Sequence, residues 1–142
     1  MSGQRNVAIN IRVEGISNAI ARLEFAGAVV DDILKKCLEA SGAKVVYFCK
    51  EKCPVDTGRL KGSIGEGSNP SGIWQLDING HLFNLSVGTS VEYAWDVETI
   101  PRHHEVGQAH FMEEGSNMAI LNIQDYFAQG LREADRRIGG TI

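Results

Sequence analysis

The chain has 142 residues, with 43% hydrophobic and 23% charged content and a formal net charge of −4. That length fits one domain with a real core, and the composition is ordinary for a soluble globular protein. The acidic balance argues against a surface built as a whole for nucleic acid. No apolar run reaches the roughly 18 residues of a membrane span, so no membrane partner is expected, and Met1–Arg5 lacks the apolar core of a signal peptide. Three cysteines, an odd number, argue against a disulfide framework and for a reducing cytoplasm.

Val7, Ile9, Ile11 and Val13 alternate with Ala8, Asn10 and Arg12, the period of a half-buried strand that Gly15 ends. Ser17 is placed to cap a helix, with Ile16 before it as a staple. From Ile20 through Leu34, Cys37, Leu38, Ser41 and Val45 to Cys49, small and apolar residues recur at three- and four-residue steps, the mark of an amphipathic helix. Gly27 and Gly42 permit breaks, so the pattern fits either one long helix or two, about 17–26 and 28–52. Pro54 stops the helix, because it has no N–H and biases Cys53 away from helical angles. Asp56 and Thr57 are capping residues, Gly58 permits a tight turn, and Arg59-Leu60-Lys61 would begin a short helical turn.

Glycine, serine, asparagine and proline crowd residues 62–72, which reads as a mobile loop or a protruding binding loop. Ile73–Ile78 and His81–Val87 then flank Asn79-Gly80, a pair that favours a two-residue hairpin turn. That turn would pair Ile78 with His81, Leu76 with Phe83 and Trp74 with Leu85. It would place Trp74, Leu76, Ile78, Phe83, Leu85 and Val87 on one face. Tyr93–Glu98 fits a helical turn or an edge strand, and Thr99–Gly107 reads as a loop. A closing helix is expected from about Ser116 to Arg137, with Ile120, Ile123, Phe127, Leu131, Ala134 and Ile138 as its apolar stripe. Gly139-Gly140 would end it, and Arg132, Arg136 and Arg137 suit its C-terminal dipole. The fold class is α+β: a long N-terminal helix, whole or broken in two, and a C-terminal helix packed on a small antiparallel sheet with an Asn-Gly hairpin, all in one domain, 1–142.

Three blocks carry a resemblance. Pro54-Val55-Asp56-Thr57-Gly58-Arg59-Leu60-Lys61-Gly62-Ser63-Ile64 resembles the signature of tailed-bacteriophage tail-completion proteins, also called head–tail joining or neck proteins. Val87-Gly88-Thr89-Ser90-Val91-Glu92-Tyr93-Ala94-Trp95-Asp96-Val97-Glu98 is similar to that family's second block. Ala109-His110-Phe111-Met112 resembles its third, with His110 where a proline is usual. The Gly-Thr expected soon after Glu98 is replaced by Thr99-Ile100-Pro101. Order and spacing match over roughly residues 16–135. The resemblance implies a non-enzymatic virion protein, without cofactor, that completes the upper end of the tail and joins it to the DNA-filled head. It would be assembled in the bacterial host cytoplasm and reside in the neck of the virion. Implied partners are further copies in a hexameric ring, a head-closure or connector protein, a tail-tube or tail-terminator protein, and non-specific contact with DNA in the channel. The implied structural and interface positions are Pro54, Asp56, Thr57, Gly58, Arg59, Leu60, Ser63, Gly88, Tyr93, Glu98 and Phe111.

Other chemistries are less well supported by the residues. His103, His104 and His110 with Glu98 and Glu105 have metal-ligand types. Adjacent histidines on an extended strand do not easily both point at one ion, however, and no His-Glu-x-x-His spacing exists. A small metal-dependent enzyme at this region is the first alternative. A nucleic-acid-binding module using Arg59, Lys61 and the C-terminal arginines is the second. Ser63 has no Gly-x-Ser-x-Gly elbow around it, and Gly62–Gly67 lacks the spacing of a phosphate loop.

Overall fold

A computed structural model describes residues 6–13, 27–55, 58–79, 82–100 and 107–137. The elements are β1 (Val7–Val13), α1 (Gly27–Lys52), α2 (Arg59–Ser63), β2 (Gly72–Asn79), β3 (Leu82–Thr89), α3 (Ala94–Thr99) and α4 (Phe111–Arg137). The architecture is α+β, with both long helices packed against a three-stranded antiparallel sheet of order β1-β3-β2. No described helix is long and apolar enough to cross a membrane.

Alternation in β1 does what its period demands. Val7, Ile11 and Val13 are buried, while Ala8, Asn10 and Arg12 face out. Pairing with β3 sets Ile11 opposite Leu85 and Val13 opposite Phe83. On the other side of β3, Leu76 meets Leu85 and Trp74 meets Val87. One face of the sheet is therefore apolar. The opposite face carries Asn10, Ser86, Asn84, Gln75 and Asp77, where Ser86 donates to Asn10 Oδ1 at 2.6 Å.

The hairpin register differs from the one the Asn-Gly pair predicts. Ile78 pairs with Phe83, not His81, and Asn79 pairs with Leu82. The two residues between the strands are thus 80 and 81, which lie outside the described residues. Each pairing moves by two residues, an even number, so the apolar face keeps its membership. Extra ladder pairing and the burial of Phe83 against Val13 on β1 outweigh the local preference of Asn-Gly for the central turn positions.

α1 is continuous from Gly27 to Lys52, so Gly42 does not break it. A side chain at Gly42 would run into Leu85 and Trp74, so that glycine is a site of close helix–sheet approach. The predicted helix at 17–26 and its Ser17 cap lie outside the described residues. Residues 65–71 form consecutive turns rather than an open loop. Asn69 N donates to Glu66 O, Gly72 N donates to Asn69 O, and Ser71 N donates to Asn69 Oδ1.

α4 begins at Phe111, five residues before the predicted start, and of the predicted stripe Ala134, Ile123 and Phe127 face the core while Ile120 and Leu131 do not. Ile120 and Leu131 are 45% and 55% exposed, whereas Phe111, Met112, Gly115, Ala119 and Ala134 are buried. Ile123 and Phe127 pack at the margin of the core, and Ile138 lies outside the described residues. Where α1 approaches closely, the inward positions Gly115 and Gly130 carry no side chain. A Cβ at Gly115 would lie 2.6 Å from Cys49 Cα, and one at Gly130 would lie 2.5 Å from Cys37 Sγ. These contacts make α1 and α4 antiparallel neighbours. The Cys49 thiol donates weakly to Met112 O at 3.5 Å, and the Cys37 thiol to Tyr126 O at 3.4 Å. All three cysteines are free and buried. Burial pushes Cys49 and Cys53 up to about 12, with the Glu98 charge adding to both and Lys61 opposing it at Cys53.

Candidate functional site

Arg59, Leu60, Ser63, Gly88 and Tyr93, among the residues singled out by sequence, meet at one corner of the molecule, where α2 and the turns after it lie against the end of β3 and the start of α3. α1 stops at Lys52 because Pro54 supplies no N–H, and Gly58, at φ 82, reverses the chain into α2. Asp56 and Thr57, expected as caps, lie outside the described residues. The N-cap position is Gly58, which forms no side-chain cap. α2 buries Leu60 and Ser63, and Ile64 follows at 0% exposure.

Ser63 and Thr89 are the junction's inner weld. Their hydroxyl oxygens lie 2.6 Å apart, at 1% and 0% exposure. Ser63 Oγ also lies 2.8 Å from Leu60 O, and Thr89 Oγ1 accepts the Val91 N–H at 3.1 Å. Both hydroxyls are therefore satisfied without water, which a buried polar pair requires. Gly65 N donates to Gly88 O at 2.8 Å, which locks the turn after α2 onto β3. Gly88 has to be glycine for a different reason: a Cβ there would strike the carbonyl of Val7 on the neighbouring strand.

The outer weld is ionic. Arg59 donates both terminal nitrogens to the Glu92 carboxylate, at 2.6 and 2.8 Å, a bidentate pairing. Its guanidinium also lies 5.6 Å from the centroid of the Tyr93 ring. Hydrogen bonding to Glu92 raises Arg59 and lowers Glu92 from their ordinary values. A second tie joins this corner to α1, where Lys50 Nζ meets Glu66 Oε1 at 2.6 Å.

Glu98 performs a third task. α3 ends near it, and the chain returns at His110, whose N–H donates to Glu98 O at 2.9 Å. The carboxylate of Glu98 then accepts from Met112 N at 2.8 Å and from Glu113 N at 3.2 Å. It caps α4 from outside that helix, taking two of the N–H groups that the first turn leaves open. His110 sits at the cap position itself, at φ 57, with its carbonyl accepting the Glu114 N–H. Half-burial raises the Glu98 carboxyl, against the lowering pull of those two N–H donors. Phe111, the first residue of α4, is fully buried beneath this cap.

Of the expected positions, the structure brings Arg59, Leu60, Ser63, Gly88 and Tyr93 together, and puts Glu98 and Phe111 at the head of α4. Sequence reasoning missed Thr89 and Glu92, which are the direct partners of Ser63 and Arg59. A spacing argument could not have paired residues 26 and 33 positions apart. The predicted histidine cluster is only partly placed. His110 is described and lies beside Glu98 and Glu113, while His103 and His104 are outside the described residues. Of the cations proposed for nucleic acid, Arg59 is held by Glu92, and Arg136 and Arg137 both meet Glu133. An open groove between α1 and α4, lined by Ile33, Cys37, Tyr126 and Gly130 among others, pairs no nucleophile with a base, and burial raises the Cys37 thiol.

Compared with family models, curated proteins and solved structures, the chain matches none significantly.

Proposed function

We propose that this protein is a non-enzymatic structural component of a tailed-phage or prophage virion. In this reading it completes the upper end of the tail and joins it to the DNA-filled head, as one subunit of a hexameric ring. The observation that carries the reading is the interlocking of the first two motif blocks. Ser63 grips Thr89 and Arg59 grips Glu92, so those motif side chains brace the fold instead of addressing a substrate. A braced corner suits a subunit that must hold its shape while its outer surfaces meet neighbours. Among the described residues β1 and β2 are the outer strands of the sheet, and the outward side of α4 offers Met118, Leu121 and Leu131. A head-to-tail contact between unlike surfaces closes a ring when its rotation permits. The turns at 65–72 and the segment 99–110 are the further candidates for contacts with the head-closure and tail proteins.

The test is genetic. Phage lacking the gene should accumulate full heads and separate tails, and supplying the protein in trans should restore joined particles. Normal infectious particles from the deletion would overturn the reading. The nucleic-acid alternative gains no support from Arg59, Arg136 and Arg137, whose charges are already met within the chain.

A further inference from the structure

The head of α4 brings together a donor set that the joining role does not use. Glu98, His110 and Glu113 each offer one ligand atom, and these atoms all lie within 4.8 Å of one another. The three come from different places: α3, the residue before α4, and the first turn of α4. His110 Nδ1 stands 3.6 Å from Glu113 Oε2. We propose that Glu98, His110 and Glu113 form a binding site for a divalent transition cation of the Zn2+ class, which clasps the return of the chain onto the start of α4.

Three physical points carry this. The first is ligand type. An imidazole nitrogen with two carboxylate oxygens suits Zn2+ and its neighbours, whereas Mg2+ and Ca2+ favour all-oxygen shells. The second is preorganisation. The Glu98 carboxylate is fixed by the Met112 and Glu113 N–H groups, one on each oxygen. Each oxygen keeps a second lone pair, so the backbone bonds orient the ligand without consuming it. The third is charge. A helix N-terminus carries about half a positive charge, which opposes a cation. Two carboxylates outweigh it, and among the described residues His110 is the one cationic-capable group within this cluster. Ligands around tetrahedral zinc sit about 3.3 Å apart, given bonds near 2 Å. Closing from spacings of at most 4.8 Å therefore takes no more than about 1.5 Å, and the His110–Glu113 pair at 3.6 Å is already close to that separation.

The experiment is calorimetric titration of the chelator-treated full chain with Zn2+, and separately with Mg2+. The same titration is run on His110→Gly, which keeps the positive φ without the imidazole, and on the surface variant Glu113→Gln. Circular dichroism confirms that each variant is folded. One Zn2+ per chain should bind, with Mg2+ far weaker, and each variant should weaken Zn2+ by at least about tenfold. Zn2+ should also raise the melting temperature of the parent more than that of either variant. Absence of saturable Zn2+ binding to the folded parent would overturn the proposal. So would Zn2+ affinity that both variants retain, or equal affinity for Mg2+. The readout needs no phage, so it fails or succeeds independently of the joining role.

Discussion

Adding one methyl group to the buried face of α4 tests the closest helix–helix contact in the fold. In Gly115→Ala the new carbon would lie 2.6 Å from the Cα, N and Sγ of Cys49 on α1. Ordinary carbon contacts lie near 3.5–4.0 Å, so about 1 Å of separation has to be recovered. Two of the three obstructing atoms are backbone, and no rotamer change moves them. Overpacking of this kind costs about 1–3 kcal/mol. Alanine in a helix interior returns about 1 kcal/mol through its better propensity. The net loss is up to about 2 kcal/mol, or up to several degrees of melting temperature at this chain length. Two companions calibrate the result. In Gly130→Ala the obstructing atoms are side-chain, Cys37 Sγ at 2.5 Å and Ile33 Cγ2 at 3.2 Å, so part of the clash relaxes and the loss should be smaller. In Gly62→Ala the new methyl meets nothing within 4 Å, and stability should be unchanged or rise by up to about 1 kcal/mol. Urea unfolding read by far-ultraviolet dichroism gives all three values. If Gly115→Ala gained the roughly 1 kcal/mol that alanine propensity gives without a clash, the close approach of α1 and α4 would be wrong.

Three more outcomes are expected. Ser63→Ala and Thr89→Val should each cost about 1–2 kcal/mol, and the double variant should cost less than their sum, because each removes the other's partner; strict additivity in urea unfolding would contradict the shared hydrogen bond. Glu98→Ala should cost about 1–2 kcal/mol and expose the Met112 and Glu113 amides to rapid hydrogen exchange, and unchanged protection at both would refute the cap. Burial holds the Cys49 and Cys53 thiols near 12 in the fold against an ordinary value of 9.0. A raised folded value means their contribution is fully present below pH 9 and is lost as pH climbs toward 12. The urea midpoint should therefore fall over that window more steeply for the parent than for Cys49→Ala/Cys53→Ala, and parallel curves would refute the burial of the thiols.

Local chemistry was legible in the sequence wherever one short-range force decided the outcome. Alternation in residues 7–13 yielded β1, the apolar steps and Pro54 bounded α1 at Lys52, and the even period of β2 and β3 assigned their faces correctly. The register, the start of α4 and its buried face were decided only in three dimensions. Asn79-Gly80 prefers the centre of a turn, but pairing across β3 to β1 shifted the ladder. Hydrophobicity nominated Ile120 and Leu131, yet α1 lies too close for large side chains, so Gly115 and Ala119 took the inner positions. α4 gained five residues at its start because Glu98, more than a dozen positions away, caps it. A sequence states which groups need partners, whereas the partners of Ser63, Arg59 and the α4 amides exist only once distant segments are packed side by side.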